Sequence, residues 1–200
     1  MFDLIFGFVA AQDNKQEKDH WEKIRQIFNA YFILPSTENA ERVLAVLPNR
    51  IDVKDFEDLN KTMDIFYQEH ITDLGALVGK GDRLAIRIAF KADQLMDGWY
   101  QESLDSLIGS SIKVVPTIFL EEAQPFLKEQ SELYASFNLP KKGEMSWVMG
   151  GILTNIGFEE TRPDVIEKEI RLRMEALATV KRQDLLELRD ICLDILKKRI

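Results

Sequence analysis

The stretch DLGALVGKGDRL, residues 73–84, holds the residue types of a phosphate-binding loop, with glycines and a lysine ahead of an apolar helical run. The P-loop pattern is Gly-x-x-x-x-Gly-Lys followed by serine or threonine, whose hydroxyl binds magnesium. Here Gly75 and Gly79 lie one residue too close together, and Lys80 is followed by glycine. We therefore interpret the stretch as a helix end, a glycine turn and an Asp82 N-cap.

Histidine and cysteine side chains offer little further chemistry, because the chain has 2 histidines and 1 cysteine. Glu17 and His20 form one Glu-x-x-His step, whereas a di-iron bundle needs a second step and further glutamates. His70 lies on an apolar helical stripe with Asp73 one turn further on, which would suit a polarised base, although a buried core histidine is the simpler interpretation. Cys192 also lies on an apolar stripe, as a core residue does. No metal site or cofactor is predicted.

The most distinctive charged feature is a ridge formed by Arg83, Arg87 and Lys91 in the segment DRLAIRIAFKADQLM. The residues between them are mostly apolar, which predicts a nearly buried helix with one charged edge. That edge faces solvent in the simpler interpretation; in a groove it would bind an anion or an acidic peptide. The adjacent carboxylates Glu121 and Glu122 would point about 100° apart on a helix, so we predict that both are solvated.

Aromatic and methionine side chains suggest a second candidate contact surface at Trp99, Tyr100, Trp147 and Met149, because these residue types are enriched where proteins bind each other. The simpler interpretation is that they belong to the core, as most such residues do. With the ridge, the predicted partner-binding residues are Arg83, Arg87, Lys91, Trp99, Tyr100 and Trp147.

Composition limits the class of protein and of partner. Hydrophobic residues make up 46% of the 200 residues and charged residues 30%, as in a folded, helix-rich chain. The net charge of −8 is spread over both halves, so nucleic acid is not expected as a partner. A protein or peptide partner is expected, acidic if it meets the ridge, while the oligomeric state is left open.

Helical stripes and their end signals predict an all-α fold. Ser36, Asp82 and Thr161 can each cap a helix, and they bracket helix pairs of roughly forty residues, the length of HEAT-type units. We predict stacked helical hairpins, either a HEAT-like α-α superhelix or an irregular helical bundle. In the middle of the chain we expect Gly109 to end a helix, IKVVP to be an extended linker, and Pro125 to break a helix.

One segment also resembles a known group of proteins. GDRLAIRIAFKADQLMDGWYQESLDSLIG, followed by PTIFL, contains Gly-Asp, Asp-Gly and Pro-x-x-Phe-Leu elements over about forty residues. In these it resembles uncharacterised bacterial all-helical, HEAT-like proteins. The resemblance implies stacked helices and carries no activity with it.

The first eleven residues, MFDLIFGFVAA, are apolar and give way abruptly to charged sequence. Val9 and Ala11 are small residues where a signal peptidase would read them, although Lys or Arg is missing before the apolar run. We interpret residues 1–11 as a shortened signal peptide, or alternatively as an N-terminal apolar helix packed on the core. The run is too short for a membrane span. Residues 12–200 are predicted to be a single helical domain with a joint near 138–151.

These observations favour a non-enzymatic protein-interaction module of the cell envelope or secreted fraction, in the periplasm or outside the cell. The alternative function is an envelope hydrolase or lyase with a groove around His70, and the alternative location is the cytoplasm. A histidine in a cleft with a perturbed pKa would favour the enzyme.

Overall fold

Nine α-helices make up most of the chain that the computed structural model describes, namely residues 2–47, 56–96, 98–136, 144–156 and 162–200. These described residues contain no strand, and the all-α prediction is confirmed. The helices are α1 Phe2–Ile33, α2 Thr37–Val46, α3 Phe56–Gly79, α4 Arg83–Asp93, α5 Gly98–Ser110, α6 Pro116–Ser136, α7 Glu144–Thr154, α8 Pro163–Ala178 and α9 Leu186–Lys197.

Two predicted helix starts are confirmed by their capping bonds. Ser36 Oγ accepts from the backbone N–H of Asn39 at 3.2 Å, and Asp82 Oδ1 accepts from that of Ala85 at 2.8 Å. Gly81 has φ +79, a left-handed conformation that glycine adopts without the strain a side chain would bring. The stretch that resembled a phosphate loop is therefore a helix end, a glycine turn and an N-cap.

Helix α4 is the centre of the bundle, packed against α2, α3, α5 and α6. Its buried residues cover most of its circumference, as predicted: Ala85, Ile86, Ile88, Ala89, Phe90, Ala92 and Asp93. Phe90 lies against Phe119 and Phe126 of α6, with ring centroids 5.8 and 4.9 Å apart. Helix α1 packs on α2 and α3, α5 on α7, and α9 on α7 and α8. One hydrophobic core thus runs from α1 to α9.

The predicted break at Pro125 is wrong, because α6 continues through it. A proline removes one backbone N–H, and the local cost is offset here by burial of the next residues, Phe126 and Leu127. Tertiary packing therefore outweighs the local signal at this position.

The turn between α5 and α6 also differs from prediction. Ser111–Lys113 forms a 3-10 turn where we expected an extended linker, and the N–H of Val115 donates to the carbonyl of Ser111 at 2.8 Å. Gly109 does not end α5, which continues to Ser110. Its missing side chain instead makes room for Ile152 and Arg173, since a Cβ at this position would overlap both.

The predicted segment boundaries fall mostly on residues whose side chains are not described. Residues 2–11 lie in α1, but the side chains of residues 1–17 lie outside the described part, as do residues 138–143 of the predicted joint. The rest of that joint, from Glu144, is helical in α7. Among the described residues, no helix is both long enough and apolar enough to cross a bilayer.

Candidate functional site

The ridge on α4 lies beside α6, where it meets two carboxylates. Arg83 donates from Nε to Glu122 at 2.6 Å and pairs through Nη1 with Glu121 at 2.6 Å. Arg87 donates to Glu122 from Nε at 2.7 Å and from Nη2 at 3.0 Å, a bidentate arrangement. Glu122 therefore bridges the two arginines, and its hydrogen bond raises the pKa of Arg87 above its ordinary value.

The prediction that Glu121 and Glu122 are solvated is wrong. Glu122 is 3% exposed, and Glu121 is largely covered while also pairing with Arg182 of the turn before α9. Burial of a carboxylate is costly unless charge partners and hydrogen bonds replace the lost water, and the arginines of α4 supply both. Sequence reasoning missed this partnership because the two helices are separated by a third along the chain.

The three ridge residues line a groove of about 500 Å³ between α4 and α6. Its apolar walls come from Leu44 of α2, Phe90 of α4, and Pro125 and Phe126 of α6. Gln94 completes the α4 side beyond Lys91. The ridge is therefore the charged wall of an amphipathic groove, and its two arginine side chains stay 47% exposed there.

The arginines keep hydrogen-bond donors for a ligand. A guanidinium has more N–H groups than these ion pairs use. Among the described residues, no acceptor bonds to Nη2 of Arg83 or to Nη1 of Arg87. With Lys91, the groove carries three cationic side chains against the carboxylates of Glu121 and Glu122. The unused guanidinium N–H groups of Arg83 and Arg87 therefore remain as donors at the edge of this groove.

The predicted aromatic residues Trp99 and Tyr100 meet at the surface, away from the ridge, and are joined there by Tyr67 of α3. Ring centroids are 5.2 Å apart for Tyr67 and Trp99, 4.4 Å for Tyr67 and Tyr100, and 5.1 Å for Trp99 and Tyr100. Trp99 is 55% exposed. Sequence reasoning did not connect Tyr67 to this cluster, because it lies on another helix.

The other two members of the predicted surface do not join that cluster in the described structure. Met149 is fully buried on α7, so the core interpretation is confirmed for this residue. Trp147 is also on α7, but its side chain lies outside the described residues.

His70 is buried between α1 and α3, where it is 4% exposed. Its ring stacks on Phe32 with centroids 4.7 Å apart and lies edge-on to Phe28 at 5.8 Å. Burial lowers its pKa below the ordinary value, while Glu69 and Asp73 act weakly in the opposite direction. A histidine enclosed by rings offers no open face to a substrate, which does not favour a catalytic groove here.

Cys192 is fully buried on α9, as predicted for a core residue. Burial raises the pKa of its thiol to about 12, so the nucleophilic thiolate is disfavoured at neutral pH. In the part of the chain that the structure describes, no group of three or more His, Cys, Asp or Glu side chains could hold a metal ion.

Comparison with known proteins identifies no relative of this chain. No protein-family model, no curated protein and no solved structure matches the chain significantly.

Proposed function

We propose that the chain is a non-enzymatic protein-interaction module that binds an acidic segment of a protein partner in the groove between α4 and α6. The observation that carries this proposal is the position of Arg83, Arg87 and Lys91, which line a groove with apolar walls instead of an open edge. A ridge that only faced solvent would not line a groove and would not have a buried counter-ion such as Glu122.

The groove chemistry favours a peptide segment with a carboxylate next to an apolar side chain. The carboxylate pairs with the exposed donors of the ridge, and the apolar side chain packs against Phe90, Pro125 and Phe126. Because the guanidinium groups of Arg83 and Arg87 stay half exposed beside these apolar walls, a carboxylate and an apolar side chain can be bound together.

The architecture proposed for this module is a stack of HEAT-like helical hairpins. Consecutive helices pack on each other in the pairs α1 with α2, α3 with α4, and α8 with α9. Hairpin pairing of this kind supports a stacked arrangement, in which one side presents a continuous binding surface.

The proposed location is the periplasm or the cell exterior, with the cytoplasm as the alternative. The support is the apolar segment of residues 1–11, which ends in small residues before charged sequence. Mass spectrometry of protein recovered from its native cells tests this directly. A chain beginning at Gln12 is expected, and one retaining Phe2 would contradict export by cleavage.

Selection of random peptides on the purified protein tests the interaction proposal. We expect the enriched peptides to share an Asp or Glu next to an apolar residue. Lys91→Glu should weaken their binding about tenfold, or about 1.4 kcal/mol, because it reverses one ridge charge. Lys168→Glu is the matched control, since it changes the net charge equally at an exposed site on α8.

Two outcomes would contradict this groove assignment. A neutral or basic consensus among the selected peptides would be one, and equal weakening by the Lys91 and Lys168 variants would be the other. Melting temperatures of both variants establish that any lost binding does not reflect unfolding.

A further inference from the structure

We propose that Tyr67, Trp99 and Tyr100 form a second binding surface, which takes a basic side chain of a protein partner, arginine in preference to lysine. This surface involves α3 and α5, and none of the ridge residues belongs to it. Its ligand is opposite in charge to the one proposed for the groove, and its test is independent of the groove.

Hydrogen bonds from their hydroxyl groups hold the two tyrosine rings of the cluster in place. Tyr67 donates its hydroxyl hydrogen to Ser103 Oγ at 2.9 Å, and Ser103 donates to the backbone carbonyl of Trp99 at 3.1 Å. Tyr100 donates to Asp64 Oδ1 at 3.4 Å. Rings held in this way lose little conformational entropy when a partner binds them.

Exposure distinguishes this cluster from the core rings. Tyr67 is 8% exposed and acts as the base of the cluster, whereas Trp99 is 55% exposed. The neighbouring rings hold the indole, yet more than half of its surface faces water. A rigid, exposed indole is a typical anchor of a protein interface, and indole is the best aromatic ring for binding a cation.

Charge around the cluster is complementary to a basic ligand. Asp64 contributes the carboxylate beside Tyr100, and Glu102 lies one helical turn from Trp99 on α5. The nearby cation Lys61 has its Nζ over the ring of Trp21, 4.6 Å from the ring centroid, on the α1 side of α3. A guanidinium can therefore stack on the indole and pair with a carboxylate, which a neutral apolar ligand cannot do.

NMR titration of the Trp99 indole N–H signal with acetyl-Gly-Arg-Gly-amide tests this surface. The matched ligand is acetyl-Gly-citrulline-Gly-amide, which has nearly the same shape and no charge. We expect saturable shifts with a dissociation constant in the millimolar range, and about three- to tenfold weaker binding of the citrulline peptide. Binding of the lysine peptide is expected to fall between the two.

Variants of Trp99 and Asp64 then test whether peptide binding depends on the indole ring and on the carboxylate. Followed through the backbone amide signals of α5, Trp99→Leu should abolish binding and Trp99→Phe should only weaken it. Asp64→Asn should weaken binding a few-fold, and Lys91→Glu should leave it unchanged. Equal affinity for the arginine and citrulline peptides, or binding retained by Trp99→Leu, would overturn the proposal.

Discussion

Arg87 in the groove and Arg173 on α8 are the same residue type, and both pair with a glutamate, yet their surroundings are opposite. The Arg87 side chain is 47% exposed and that of Arg173 is 2% exposed. Arg173 donates from Nη1 to the backbone carbonyls of Ile152 at 3.1 Å and Leu153 at 2.8 Å. Those carbonyls belong to the last turn of α7, where a helix has no donors of its own.

The difference separates a structural arginine from one that can recognise a ligand. Burial lowers the pKa of Arg173, and the helix carbonyls together with Glu169 compensate for its lost hydration. Arg87 pairs with one carboxylate and keeps donors on an accessible edge. Charge alone therefore does not distinguish the two arginines, whereas exposure and unused N–H donors do.

Removal of the buried guanidinium should have the largest effect on stability. Arg173→Met retains much of the apolar side chain but leaves the carbonyls of Ile152 and Leu153 without this donor. It also removes one of the two cations that pair with Glu169, whose carboxylate keeps only Lys113 at 2.8 Å. We expect the free energy of unfolding to fall by about 3–5 kcal/mol, measured by urea denaturation. Arg87→Gln should cost less than about 1 kcal/mol, because the side chain is half exposed and Glu122 keeps Arg83.

Equal losses in the two variants would contradict this distinction. If Arg87→Gln proved as destabilising as Arg173→Met, the ridge would be a structural element and its role in binding would lose its support. The slope of unfolding free energy against urea concentration should be the same for both variants, as for a two-state transition.

The two glycines Gly109 and Gly150 provide the next test, since both lie inside helices but differ in their surroundings. A Cβ at Gly109 would overlap the carbonyl oxygen of Ile152 and the guanidinium of Arg173, whereas one at Gly150 has no atom of the described residues within 4 Å. Gly109→Ala should destabilise the protein by about 3 kcal/mol, at the upper end of the usual cost of overpacking.

Gly150→Ala should instead stabilise the protein by about 0.5–1 kcal/mol, because alanine is the better helix former and finds open space. Thermal unfolding of the two variants beside the wild type measures both effects. If Gly150→Ala destabilised the protein as much as Gly109→Ala, the close contact between α5 and α7 would not explain the destabilisation of Gly109→Ala.

The sequence was sufficient for features that depend on local spacing. The caps Ser36 and Asp82, the buried α4 and the spacing of the ridge all follow from residues within a few turns of each other. The helical pattern also placed Arg87 correctly on the edge of α4. Such features are set by the helix period and by backbone capping, which a single sequence displays.

Sequence reasoning missed the features that depend on contacts between helices far apart in the chain. Glu122 is buried because α6 lies against α4, and no spacing of residues in the sequence predicts that contact. Glu169 and Arg173 have the i, i+4 spacing of a helical ion pair and lie 3.3 Å apart, but the burial of Arg173 depends on its contact with the end of α7. Local periodicity specifies which face of a helix is apolar, and it does not specify which helix covers a charged edge.

Asp105, on the α5 face that packs against α7, provides the prediction that depends on pH. It is 8% exposed, and a Cβ at Gly151 would overlap its carboxylate. Burial, with the nearby charge of Glu102, raises its pKa to about 7. Unlike Arg173, which makes hydrogen bonds as a buried cation, Asp105 is more stable in the fold when it is neutral.

A raised pKa in the fold means that the folded state holds its proton more tightly than the unfolded state. The stabilising contribution is therefore complete below about pH 4 and is lost as the pH rises through about 7. Asp105→Asn stays neutral, so it should be about 4 kcal/mol more stable than the wild type at pH 8 and nearly equal at pH 4. Urea denaturation at both pH values measures this difference, and a gain independent of pH would show that packing, not ionisation, is responsible.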